Sequence, residues 1–160
     1  MDLLIRKLEN LSRAVQPSIM MQVIVERNGL GGVIIHLNTE DQLFDKGIDS
    51  RGVKLEDIGG SYSPATINGI EGKFKGKLEL GLPIDRVTLY NSGDFYKTFT
   101  VDVEGNGDII VQADPNKPNQ NLFDRYGKDV VGLTKNNLDV VRNILKRHIL
   151  KYIRNEYEKG

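Results

Sequence analysis

The hydrophobic pattern of this chain uses two periods in separate stretches, and that division fixes the class of fold open to it. From Asp85 to Ala113 the apolar residues fall in short runs of strand type: Val87 and Leu89, then Phe95, Phe99, Val101 and Val103, then Ile109 to Val111. Turn formers separate the runs, first Asn91-Ser92-Gly93-Asp94 and then Glu104-Gly105-Asn106-Gly107. Three extended segments are expected, Asp85 to Tyr90, Tyr96 to Glu104 and Asp108 to Ala113, the last two paired as an antiparallel hairpin. From Lys135 towards Lys159 the spacing becomes three-four, with Leu138, Val141, Ile144, Leu145, Ile149, Tyr152 and Ile153 on one helical face. Two periods in separate stretches read as α+β. The pattern predicts a small antiparallel sheet of three to four strands packed against N- and C-terminal helices, the last helix lying across the sheet.

The remaining segments fit that frame. Leu3, Leu4, Lys7, Leu8, Leu11 and Val15 recur at helical spacing before Pro17, which stops or restarts the helix. Ser18 to Arg27 suits a buried helix or a strand, and helix is the reading taken here. Asn28-Gly29-Leu30-Gly31-Gly32 breaks regular structure as a flexible joint, and Val33 to Lys46 forms a helix that Gly47 caps in the left-handed conformation. Ile48 to Leu55 reads as a tight turn between short extended pieces. Gly59 to Lys77 holds five of the seventeen glycines and several lysines, which predicts a loop or arm with a short helix at Ser63-Pro64. After the polar loop Asp114 to Asn119, a short helix around Leu122, Phe123 and Tyr126 ends at Gly127, and Thr134 caps the last helix. The 160 residues make one domain: 1–58 helical, 59–83 the glycine-rich loop or arm, 84–114 the sheet, and 119–160 the C-terminal helices.

Composition narrows the function classes. Lys+Arg and Asp+Glu number 22 each, and apolar residues make up 39%, so neither a disordered chain nor a general polyanion binder is indicated. Cysteine is absent, which removes disulfides, thiolate metal sites and cysteine nucleophiles together. Asp2 precedes Leu3-Leu4-Ile5, and Arg6, Lys7 and Glu9 interrupt the apolar run, unlike a signal peptide. No run approaches the roughly 18 to 20 apolar residues of a membrane helix; no membrane association is expected.

The residues that carry chemistry do not assemble into a catalytic pattern. His36 and His148 lack any H-E-x-x-H or H-x-x-x-H context, and His36 reads as part of a packing face. Ser61, Ser63 and Ser92 have no G-x-S-x-G setting, and Gly29-Leu30-Gly31-Gly32 is not followed by Gly-Lys-Ser/Thr. Asp41, Asp45 and Asp49 recur every four residues without the alternation of a calcium loop, and read as solvated turn carboxylates. A metal-dependent hydrolase would need Asp41, Asp45, Asp85, Asp94 or Asp114 to converge in space. No enzymatic activity and no cofactor are expected.

Charge is segregated along the chain. Residues 81–120 hold six acids and three bases, and 121–160 hold five and nine. Arg142, Lys146, Arg147, Lys151 and Arg154 form a stretch without an acid between them, a basic helix face that is either solvated or a contact for nucleic acid or an acidic partner. Lys73, Lys75 and Lys77 give the glycine-rich arm a similar choice between mobile surface loop and partner or DNA contact.

The stretch from Leu89 to Thr98 also carries a resemblance. Leu89-x-x-Ser92-Gly93-x-Phe95-x-x-Thr98 resembles the L-x-x-[ST]-G-x-[LF]-x-x-[ST] signature of tail-completion and virion-morphogenesis proteins of tailed bacteriophages. Asn38 to Asp49, Tyr62-Ser63-Pro64-x-Thr66-Ile67 and Tyr126-Gly127-x-x-x-x-Gly132-Leu133-Thr134 are similar to uncharacterised structural proteins of Bacteroidetes phages and prophages, including the crAss-like group. The likeness runs from about Asn38 onward, and residues 1–37 carry no matching motif. It implies a structural virion protein, assembled in the host bacterial cytoplasm and repeated as a cyclic homo-oligomer at the head-tail neck as a connector or tail-completion component. Portal or other neck and tail proteins would be its partners, and DNA would pass through the ring's channel. Tyr90, Asn91, Ser92, Gly93, Asp94, Phe95 and Tyr96 are then the expected subunit interface, since an exposed strand edge pairs readily with another chain. Leu89, Phe95 and Phe99 have core filling as their alternative. The competing reading is a small nucleic-acid-binding module that uses the basic face of the last helix.

Overall fold

The computed structural model describes residues 2–118 and 120–159. Its elements follow the chain as α1 (Asp2–Ala14), α2 (Pro17–Gln22), α3 (Leu30–His36), α4 (Leu55–Gly59) and α5 (Pro64–Asn68), then β1 (Gly69–Ile70), β2 (Phe74–Lys75), β3 (Thr100–Val103) and β4 (Ile109–Gln112), and finally β5 (Asn116–Lys117), β6 (Gln120–Asn121), α6 (Leu122–Tyr126) and α7 (Lys135–Lys159). Two π-helical runs, Val23–Arg27 and Leu37–Lys46, extend α2 and α3. The fold is α+β, helix-dominated, with small antiparallel sheets.

The helices stand where periodicity puts them. Pro17 restarts the chain as α2, Ser63 caps α5 by accepting from the Thr66 amide, and Asn121 caps α6. Gly47 ends the second π run at φ 62°, where a side chain would bring a Cβ within 2.8 Å of the Val87 carbonyl. Thr134 Oγ1 accepts from Asn137 N at 3.4 Å at the start of α7. The glycine break is shorter than expected: only Asn28 and Gly29 interrupt the helices, and Gly31 lies inside α3. A Cβ there would sit 3.3 Å from Val25 and 3.6 Å from Val101, so this glycine serves close packing.

The sheet is smaller than the pattern predicts. Among the described residues each sheet has two strands, and the largest is the β3–β4 hairpin, registered Thr100 to Gln112 through Val103 to Ile109. Asp85 to Tyr90 is not a strand. Its polar groups are taken by side chains from elsewhere, and Leu89 sits at φ 57°, which ends any ladder. Tyr96–Thr98 is a 3-10 turn, so β3 begins at Thr100. The glycine-rich segment is not a free arm. α5 leads into the β1–β2 hairpin, and Gly76 and Lys77 are buried with the Lys77 amide bonded to Thr66 O at 3.0 Å.

Two apolar cores result. One gathers Leu43, Leu55, Val87, Phe95, Phe99, Leu122 and Val130; the other gathers Ile24, Val25, Leu30, Ile34 and Val141, with Val111 of β4 packed against both. α3 stands between β3 and α7, so α7 rests on α3 and α1 rather than across the sheet. Leu138 of its predicted face is 39% exposed for that reason. His36 is exposed, not packed.

Between the cores runs a polar seam. Asn38 and Gln42, both fully buried, lie four residues apart on the π-helical run and face residues 130–134, the stretch between the Lys128–Val130 3-10 turn and α7. Asn38 Nδ2 donates to Val130 O at 3.0 Å while its Oδ1 accepts from Gly132 N at 2.8 Å. Gln42 repeats the pattern two residues on, Nε2 to Gly132 O at 2.9 Å and Oε1 from Thr134 N at 2.7 Å. Asn137 Nδ2 closes the network on Gln42 Oε1 at 3.0 Å and Asp41 Oδ2 at 2.8 Å.

Nearby, Asp49 is buried, not solvated as its turn position suggests. Its carboxylate accepts from the Arg51 and Val53 amides at 2.9 Å and from the Arg51 guanidinium at 2.7 Å, and Arg51 also meets Asp129 at 3.2 Å. Asn38→Ala should cost about 2 to 4 kcal/mol, because it strips partners from two buried backbone groups. The exposed control Asn10→Ala should stay within about 0.5 kcal/mol. Urea unfolding of both variants checks this.

Candidate functional site

The predicted interface stretch folds inward around a strained residue. Leu89 is the single non-glycine residue at positive φ among those described, a conformation that costs about 1 kcal/mol or more and needs support from its surroundings. Its neighbours provide it. Tyr62 Oη accepts from Thr88 N at 2.8 Å, Tyr96 Oη donates to Thr88 O, and Lys77 Nζ donates to Tyr90 O. Thr88 Oγ1 accepts from Tyr90 N at 3.3 Å and lies 3.2 Å from Tyr62 Oη. The peptides on both sides of Leu89 are thus held by side chains from three other parts of the chain.

Aromatic edges support the same turn. Phe44, Tyr90 and Tyr96 meet edge to face with centroids 5.3 and 5.1 Å apart, and Phe95 meets Phe99 at 5.2 Å. Gly93, at φ 78°, is buried, with the Tyr90 ring 3.2 Å from where its Cβ would stand. Phe95 is 1% exposed and Tyr96 8%, so these two fill the core and are corrected out of the expected interface. Asn91, Ser92 and Asp94 remain at the surface, with Tyr90 half-buried. Ser92 Oγ donates to Asp94 Oδ2, which, with Lys97 beside it, holds the Asp94 carboxyl below its usual range.

The surface of this turn forms one wall of a cleft of about 430 Å³. Thr66, Phe74, Lys75 and Lys77 of the glycine-rich segment form a second wall, and Lys117, Gln120, Arg125 and Tyr126 a third. Each unpaired cation of the lining approaches a ring: Lys77 Nζ lies 4.6 Å from the Tyr62 centroid, Lys117 Nζ 6.0 Å from Phe95, and Arg125 Cζ 5.1 Å from Tyr126. Lys77, only 3% exposed, is no loop contact but a structural clamp. Lys75 pairs with Glu79 at 2.8 Å, which raises its pKa, and Lys73 stands exposed between β1 and β2.

The folded chain therefore joins the predicted turn to Lys75 and Lys77 but leaves the basic helix face apart. Arg142 pairs with Asp139 at 2.9 Å, whereas Lys146, Arg147, Lys151 and Arg154 are exposed around Leu150. Sequence reasoning did not assign Tyr62, Lys117, Arg125 or Tyr126 to a site; they come from three segments of the chain, brought together only by folding. Among the described residues no group of three or more His, Cys, Asp or Glu converges, and no helix is long and apolar enough to cross a membrane. No protein-family model, curated protein or solved structure matches the chain.

Two outcomes follow from the clamp. Tyr62→Phe should lose about 1 to 2 kcal/mol, since the buried Thr88 amide then has no acceptor. Burial also pushes the Tyr96 phenol far above its ordinary pKa. The sign is fixed by the unfolded chain, whose tyrosine ionises first: the contribution is complete below about pH 10 and is lost as pH rises beyond it, by up to about 1.4 kcal/mol per unit. Denaturant unfolding between pH 8 and 11 should show that slope in the native chain, reduced in Tyr96→Phe.

Proposed function

We propose that this protein is a structural component of a tailed-phage virion, repeated as a ring at the head-tail neck, where it completes the connector or the tail terminus. The observation that carries this reading is apolar surface left uncovered on two different elements. α1 exposes Leu4, Ile5 and Leu8, and the segment from β1 onward exposes Ile70, Phe74, Leu78, Leu80 and Ile84. Apolar clusters of this kind mark interaction surfaces, and a closed ring of identical subunits requires two complementary ones on each copy. The resemblance of Leu89-x-x-Ser92-Gly93-x-Phe95-x-x-Thr98 to virion-morphogenesis proteins supplies the setting.

Neither β3 nor β4 has a second strand partner within the described residues, and a strand from a neighbouring subunit would extend the hairpin. The nucleic-acid reading draws on a separate observation: Lys146, Arg147, Lys151 and Arg154 are exposed on α7 with no carboxylate partner among the described residues.

Light scattering on the purified protein, alone and mixed with neck proteins encoded in the same genome, tests the ring. The expected result is a discrete oligomer in at least one of the two conditions, reduced to monomer by Leu4→Ser/Leu8→Ser or by Phe74→Ser/Leu78→Ser. A monomer that ignores those proteins but binds DNA in low salt, with affinity falling steeply as salt rises, would move the assignment to the nucleic-acid module.

A further inference from the structure

The cleft's lining holds more cations than acids: Lys75, Lys77, Lys117 and Arg125 stand against Asp94, which feels Lys117 at longer range. Lys77, Lys117 and Arg125 line it and make no ion pair among the described residues; each rests on a ring or a carbonyl instead. Asp94, the acid among the lining residues, is engaged by Ser92 and by Lys97 at 3.4 Å. A cation as buried as Lys77 is costly to hold without a carboxylate nearby, and a carboxylate entering between aromatic walls would gain charge-assisted hydrogen bonds from several donors. The charge of the lining therefore favours an acidic group.

The same chain presents such a group. The turn joining β3 to β4 is Glu104-Gly105-Asn106-Gly107-Asp108, and Asp102, Glu104 and Asp108 are exposed with no cation partner among the described residues. Two glycines leave Asn106 as the only side chain at the tip, so its backbone is slim. The tip is also held in place: Glu104 N bonds Asp108 O at 2.9 Å, and the Gly107 backbone lies so close on Pro17 that a Cβ would stand 2.9 Å from it. A turn already fixed in shape loses little freedom on docking.

We infer that the cleft receives the acidic β3–β4 turn of a second copy of this chain, with Glu104 and Asp108 meeting Lys117 and Arg125. The two surfaces differ, so the contact is head to tail, and its repetition closes a ring when the rotation permits. This inference rests on the ring reading and supplies the polar part of its interface. The acidic residues of the sheet region form one half of that contact, and the cleft forms the other.

Charge reversal tests it on the full chain. Lys117→Glu/Arg125→Glu and Glu104→Lys/Asp108→Lys should each lower self-association at least about tenfold, while an equimolar mixture of the two should recover it, read by light scattering under whichever condition assembles the native protein. Circular dichroism establishes that both variants are folded. Should either fail to fold, carbodiimide cross-linking of the native assembly replaces it, with cross-links from Glu104 or Asp108 to Lys117 expected. Variants that assemble like the native chain, a mixture that does not recover, or cross-links confined to other pairs would overturn the inference and leave the ring standing. A native protein that stays monomeric under both conditions would overturn the ring itself.

Discussion

Two side-chain amides tie the second π-helical run to the segment that leads into the last helix. Asn38 and Gln42 present to residues 130–134 what a strand edge would present, a donor and an acceptor at each second residue. An amide side chain can do this because it carries the same two groups as a peptide. The helix that bears them is π-helical at that point, wider than an α-helix, and departures of this kind recur where a helix does something besides pack. From the docked segment, Val130 enters one core and Val141 of α7 enters the other. The seam thus fixes the segment from which the last helix starts.

A second polar device sets the surface. Lys77, Tyr62 and Tyr96 hold the strained backbone at Leu89, and in doing so bring the glycine-rich segment against the 89–95 turn. The cleft is the gap left between these parts. Its shape comes from satisfied backbone groups, so its walls are formed by the fold itself. The apolar side chains left outside, from Ile70 to Ile84, flank that same region of the chain.

Local signals were read well and distant pairings were not. Pro17, Ser63, Gly47, Gly127 and Thr134 announce element ends through their own backbone chemistry, and the three-four repeat of α7 is long enough to stand alone. The β3–β4 hairpin follows from Gly105 and Gly107 between alternating apolar residues. The third strand failed because Val87 and Leu89 have strand-like side chains but spend their neighbours' polar groups on Tyr62, Lys77 and Tyr96, residues no local window contains. The interface stretch misled for a related reason: Phe95 and Tyr96 look the same in sequence whether they face a partner or a core. Asn38 and Gln42 read as ordinary polar helix residues, since their importance lies 92 residues downstream. Lys117 and Arg125, in turn, become a site only once the chain has closed around them.

That separation has a consequence in time. The partners of the amide seam stand 92 and 94 residues apart, and a ribosome adding about 5 to 20 residues per second needs about 5 to 20 s to make the intervening chain. During that interval Asn38 and Gln42 have no strand to hold, and neither core can close around Val130 and Val141. Docking surfaces that depend on the closed fold would therefore mature late and all together. In the proposed ring, a nascent copy would engage no neighbour before its own chain had closed.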